Sequence, residues 1–299
     1  MTRTDITFSS GETYCAAWLY RPQGVAADSA PRPIIVMAHG VAGVREARLD
    51  AFAERFTAEG YLCLVFDYRY FGASGGESRQ LLSTARQRED WTAAIAYART
   101  IDGADPNKII VWGTSYGGGH VIVAAAEDHR IAGMIAQCPF TDGFASGTNL
   151  PMLTALKVGA RAVADIVAAK FGRGPLLIPS AGEPGDVALM VSPDTYAGVH
   201  KLNPHELPID IDVSARFALD IIRQFPGRHA KNVTCPAHFA LCARDSVAPA
   251  AKSLHYAQQA LRSEIAVYDV GHFDIYVDDA FEANIADQIR FLQHHFPIE

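Results

Sequence analysis

The apolar positions of the chain fall into two alternating patterns. Short continuous runs (Ile34 to Ala38, Tyr61 to Phe66, Ile109 to Trp112, Ile131 to Gln137) read as apolar strands, the first two of the kind buried on both faces, and Ala237 to Ala243 and Glu264 to Val270 read as two further strands. Between them, apolar residues recur at helical spacing. Phe52, Ala53 and Phe56 mark a helix over Leu49 to Glu59, with Gly60 as its stop. Trp91, Ile95 and Ala98 mark one over Ala85 to Arg99, and Phe217, Ile221, Ile222 and Phe225 one over Ala215 to Phe225. A helix from about Ala250 to Leu261 and a last one over Phe281 to Phe296 complete the set. Ahead of all these, Thr7 to Ser9 and Thr13 to Tyr20 flank Ser10-Gly11-Glu12 as an antiparallel hairpin. Strands alternating with helices predict an α/β fold: a mostly parallel, doubly wound sheet with right-handed crossovers. Ligands of such sheets bind beyond the carboxyl ends of the strands.

The alternation stops between Thr141 and Val213, where no sheet strand is legible and Pro and Gly recur. A long irregular stretch inside a compact domain is usually functional. It predicts a core of residues 1–141 and 214–299 with an inserted, mainly helical cap over 142–213. Within the cap, Met152, Leu156, Val163, Ile166 and Val167 keep helical spacing, with Lys157, Arg161 and Asp165 on the opposite side. That stripe is expected to pack against the protein rather than to anchor in a membrane, because its polar face is short and only mildly basic.

Charge and composition narrow the partners. A net charge of -7 without a Lys/Arg run disfavours nucleic acid. No apolar stretch is long enough to span a bilayer, and Met1 to Ile6 lacks the apolar core of a signal peptide. Cys15, Cys63, Cys138, Cys235 and Cys242 form no C-x-x-C pair, and their odd number argues against a disulfide framework. The cytoplasm is the expected location, and a homodimer stays open.

The chemistry concentrates where strands end. Ile109 to Trp112 lead into Gly113-Thr114-Ser115-Tyr116-Gly117, a G-x-S-x-G turn between a strand and a helix that would hold Ser115 in a strained conformation. A serine hydroxyl needs a base, and the base an orienting acid. His272, after Gly271 and the last strand, and Asp245, after the strand ending at Ala243, supply them in the order Ser115, Asp245, His272. Asp142 is the rival acid; Asp274 stands too near His272 in sequence to be favoured. Asp245 has a plainer reading as a turn residue bonding Ser246 or Val247. An oxyanion calls for two backbone N–H groups, assigned here to Tyr116 and Val41, with His39 as a brace or simply a buried ring. His120 is expected to pack in its helix. Tyr68, Phe140, Met152, Leu153 and Tyr196 are candidate substrate contacts that core packing would explain equally well. No metal or other cofactor is expected: H-e-x-x-H, paired Cys and carboxylate clusters are missing, and Gly113 to Gly119 lacks the lysine of a P-loop.

Taken together, His39-Gly40-Val41-Ala42-Gly43, the stretch from Asp67 to Gly76, Gly113 to Gly117, Arg244 to Pro249 and Gly271 to Tyr276 resemble the α/β-hydrolase superfamily. The set is most similar to its dienelactone-hydrolase-like, acyl-esterase branch, which includes thioesterases and polyketide transferases. Dienelactone hydrolases proper use cysteine where this chain has Ser115, which favours ester chemistry. The resemblance implies a serine hydrolase taking a small-molecule acyl substrate, an ester or thioester, through an acyl-enzyme. Acyl transfer to another acceptor, lactone opening and C–C hydrolysis use the same triad. A non-catalytic module on this fold would be expected to have lost a triad member, and none is missing.

Overall fold

A computed structural model of the chain describes residues 1–24, 30–148, 150–203, 206 and 211–298. Along the chain run β1 (Thr2–Ser10), β2 (Thr13–Arg21), β3 (Arg32–Ala38), α1 (Leu49–Ala58), β4 (Leu62–Phe66), α2 (Thr84–Ala98), β5 (Ala104–Thr114), α3 (Tyr116–Glu127) and β6 (Gly133–Gln137). After β6 the chain leaves the main sheet through α4 (Gly143–Gly147), α5 (Met152–Lys170), β7 (Leu177–Pro179), α6 (Thr195–Lys201), β8 (Asp212–Ser214) and α7 (Phe217–Ile221). It returns with β9 (Ala237–Cys242), α8 (Ala250–Ala257), β10 (Ser263–Tyr268) and α9 (Asp278–His295).

Among the described residues, eight strands form the main sheet in the order β1-β2-β4-β3-β5-β6-β9-β10. The β1–β2 hairpin and the β2–β4 pair are antiparallel, and every pairing from β4 to β10 is parallel. The pleat explains the continuous apolar runs. Ile34, Val36, Ile109 and Val111 face a core shared with Trp91 and Ile95 of α2 and Val121 of α3. Their neighbours Ile35, Met37, Ile110 and Trp112 face a second core under Phe52 of α1 and Ile285 and Leu292 of α9. With helices on both faces, alternation would leave a polar residue in one core or the other.

Among its described residues, the segment between β6 and β9 adds no strand to the main sheet but has a small antiparallel sheet of its own, β7 with β8, which the sequence pattern did not reveal. The orientation of α5 reverses the expectation. Met152, Leu156 and Val163 are 80%, 65% and 54% exposed, and Ile166 and Val167 are also exposed, whereas Asp165 is fully buried. The reason is a polar anchor. Asp165 accepts from Leu176 N at 2.8 Å, Arg216 N at 2.8 Å, Arg216 Nε at 2.7 Å and Arg216 Nη2 at 2.7 Å. Thr154, Val158 and Ala162 share that buried face. A carboxylate satisfied by four donors can be buried, and it fixes which side of the helix points inward. Among the described residues, no helix is long and apolar enough to cross a membrane.

Candidate active site

Four loops converge on the rim where the parallel strands end. Ser115 follows β5, the Gly40–Val41 loop follows β3, Asp245 follows β9 and His272 follows β10. Ser115 has φ 55 and ψ -118, a conformation that L residues adopt only when their surroundings enforce it. The enforcement is visible in backbone bonds: Ser115 N donates to Gln137 O at 2.9 Å, and Ser115 O accepts from Phe140 N at 2.8 Å. The glycines follow from the same crowding. A Cβ on Gly113 would fall inside the Gly117 carbonyl, and one on Gly117 would lie 2.5 Å from the His39 oxygen. On Gly40 it would sit 2.9 Å from Ser115 Cβ and 3.2 Å from Oγ, so the β3 loop lies directly against the nucleophile.

The structure brings Ser115, His272 and Asp245 into one chain of contacts. His272 Nε2 is 3.0 Å from Ser115 Oγ, and His272 Nδ1 is 2.7 Å from Asp245 Oδ2. The other oxygen of Asp245 accepts from Val247 N at 2.9 Å and Ala248 N at 2.6 Å. Asp245 makes both kinds of contact at once: one oxygen closes its turn while the other meets the imidazole. Asp142 is elsewhere, accepting from Ala145 N at 3.0 Å as the cap of α4 and from the Tyr256 hydroxyl at 3.3 Å. Asp274 accepts from Gly271 N at 3.0 Å, bracing the His272 loop.

Burial opposes a charge on His272, but the Asp245 carboxylate outweighs it and raises the ring above its ordinary 6.5. His39 differs: burial pushes it down to about 4, so the ring is neutral. Its Nδ1–H donates to Gly40 O at 2.9 Å, which braces the loop carrying Val41. Tyr116 opens α3, where the first backbone N–H groups lack helical acceptors. Its hydroxyl donates to Thr84 Oγ1 at 2.6 Å, and Thr84 donates in turn to Asp220 Oδ2 at 2.6 Å, pinning the residue in place. His120 packs inside the core with Nε2 2.9 Å from Gln87 Oε1.

Two cavities meet at Ser115, one of about 630 Å³ and one of about 190 Å³. Phe140 lines the smaller. The other four candidate contacts line neither. Tyr68 is a core residue, its hydroxyl accepting from Trp91 Nε1 at 2.9 Å. Met152, Leu153 and Tyr196 are exposed on the outer side of the segment between β6 and β9. Sequence reasoning missed the walls that this segment does supply, among them Met190, Leu189 and Gly159, together with Leu219 of α7. Met190 and Leu189 lie in irregular chain without periodicity, and nothing in the pattern marks them. Among the described residues, no cluster of three or more His, Cys, Asp or Glu side chains is placed to hold a metal ion.

A family model described as serine aminopeptidase, S33, matches residues 29–280. The quorum-quenching protein AidA of Acinetobacter baumannii is 50% identical, the alignment covering 99% of this chain and 96% of that protein. The thiohydrolase aneE of Aspergillus aculeatus is 28% identical over 87% of this chain and 85% of its own length. The crystal structure of the α/β hydrolase GrgF from Penicillium superposes over 100% of both chains with a TM-score of 0.82 at 22% identity.

Proposed function

The chain belongs to the serine aminopeptidase S33 family of α/β-hydrolases, and we propose that it is a serine hydrolase cleaving a carboxylic ester or thioester through an acyl-enzyme. The observation that carries this reading is a single imidazole within bonding reach of a strained serine hydroxyl on one side, at 3.0 Å, and a buried carboxylate on the other, at 2.7 Å. Ser115 Oγ attacks the acyl carbonyl as His272 Nε2 takes its proton. Asp245 holds the Nδ1–H tautomer and stabilises the imidazolium that forms. The N–H groups of Val41 and Tyr116 receive the oxyanion, each contributing roughly 3 kcal/mol. His272 then protonates the leaving group, and water activated by the same ring releases the acid.

A relative named a thiohydrolase supports keeping thioesters beside oxygen esters. Acyl transfer to an alcohol or amine is the second reading, favoured by the roughly 630 Å³ of space beside His272 in which an acceptor would fit. A panel of p-nitrophenyl esters and an acyl-thioester, with and without a competing alcohol, separates the two by product. Ser115→Ala is expected to lower kcat by about 10⁴- to 10⁶-fold with an unchanged melting profile. Retained turnover in that variant, or failure of a fluorophosphonate to label Ser115, would overturn the reading.

A further inference from the structure

Among the described residues, the two cavities at Ser115 share only Val41, Ser115 and Met190 as lining residues, and they differ in what else they contain. His272 lines the larger and is absent from the smaller. In an acyl transfer the atom that departs must lie within hydrogen-bond reach of the proton on Nε2. The leaving group therefore occupies the larger cavity, and the remaining substituent of the tetrahedral carbon points into the smaller one. No charged side chain lines that smaller cavity among the described residues; Phe140, Val158, Leu189, Leu219 and Ile221 give it carbon walls. Of its serines other than Ser115, Ser192 donates to Ser246 O at 3.2 Å and Ser246 to Asp194 Oδ1 at 2.7 Å, while the Ser146 hydroxyl has no partner among the described residues.

Gly159 lines this chamber. It lies in the interior of α5, where glycine weakens a helix. Neither a left-handed φ nor a close approach requires glycine there: a Cβ added to it meets nothing within 4 Å. Other glycines on the same wall contrast with it. A Cβ on Gly143 would run into the Ile221 carbonyl, and one on Gly147 would press to 3.2 Å from Ile222 Cγ2. Those two are set by packing between protein atoms, whereas the space in front of Gly159 is cavity.

We propose that the smaller cavity is an acyl chamber for an unbranched aliphatic chain, and that the missing side chain at Gly159 determines which chains enter it. The proposal rests on the serine-hydrolase reading and deepens it, so its test must be able to fail separately. Ethyl octanoate and octyl acetate are isomers that put the same long chain on opposite sides of the ester. Wild-type hydrolysis of p-nitrophenyl acetate, lost in Ser115→Ala, first establishes the chemistry; absence of that activity sinks the parent reading. In Gly159→Leu, the ratio of kcat/KM for ethyl octanoate to kcat/KM for octyl acetate is expected to fall at least tenfold. Gly159→Ala, a better helix former, is expected to melt no lower than wild type and to show a smaller loss of the same selectivity. It therefore carries the test if the leucine variant folds poorly. A loss confined to octyl acetate, equal losses on both isomers, or no change in either variant overturns the proposal.

Discussion

At Ser115, function is written in backbone before it is written in side chains. A residue held at φ 55 and ψ -118 costs on the order of 1–3 kcal/mol, and the surrounding bonds to Gln137 and Phe140 hold it there. Gly40 must stay small because its missing Cβ is what lets the β3 loop reach the hydroxyl. Gly40→Ala is thus expected to cut kcat by at least about 10²-fold, the size of losing one oxyanion donor, and far more than it lowers the melting temperature. Stopped-flow assays beside a thermal melt check this. The pH profile follows from His272. The ring accepts a proton only when neutral, and Asp245 holds its pKa above 6.5, so the acid limb of kcat/KM is expected above 6.5, activity rising with pH through it. The same pair stabilises the fold below the unfolded pKa and loses that contribution as pH rises through the folded one. Asp245→Asn should move the limb down toward 6.5 while kcat drops by about 10⁴-fold; an unmoved limb in a pH–rate series would rule out the carboxylate as its cause. These residues were legible in the sequence because each follows an apolar strand, and strand ends share a rim. The pocket residues were not: Tyr68 stands beside a motif yet packs in the core, while Met190 has no pattern around it.

Helix α5 shows what periodicity leaves undecided. Its apolar spacing identified the helix, but the buried face was chosen by Asp165, whose partners Leu176 and Arg216 lie 11 and 51 residues away. A pattern of hydrophobicity carries no information about such a partner, so the more apolar face was expected inside and is found outside. Removing one member of a buried charge pair leaves the other unsatisfied, at about 3–5 kcal/mol. Arg216 retains some solvent, so Asp165→Ala is expected near the lower end, at about 3 kcal/mol. The loss should fall locally: limited proteolysis would cut between β6 and β9 sooner, with the sheet unaffected. Asp165 is held below the ordinary carboxylate value, burial opposing and Arg216 prevailing. Its contribution is present above the unfolded pKa and disappears as pH falls through the folded one, so faster cleavage of wild type is expected at strongly acid pH.

Across the whole molecule, Ser115 and His272 stand 157 positions apart in the chain and 3.0 Å apart in space, with the excursion between β6 and β9 intervening. A buried amide network behind the rim connects the two halves. Gln137 at the end of β6 is fully buried; its Nε2 donates to Thr114 Oγ1 at 3.2 Å, and its Oε1 accepts from Asn284 at 2.6 Å and Gln288 at 3.0 Å. Gln288 also accepts from Trp112 Nε1 at 2.8 Å, and Thr114 Oγ1 shares a hydrogen bond with the Tyr276 hydroxyl. Thr114 adjoins the nucleophile and Tyr276 closes the turn after His272, so their bond couples the two loops directly, and Gln137 ties that pair to α9. Truncating Gln137 to alanine leaves the buried Asn284 Nδ2 donor without its acceptor, while Gln288 keeps its bond to Asn284 Oδ1 at 2.8 Å, and costs about 1–3 kcal/mol. At roughly 2 °C per kcal/mol for a domain of this size, the melting temperature should fall by several degrees. If the network also sets the spacing of Ser115 and His272, kcat drops by about tenfold or more with KM little changed, because small misplacements of reacting groups are expensive. A Gln137→Ala protein that melts earlier but turns over at the wild-type rate would show that the strands alone fix the register.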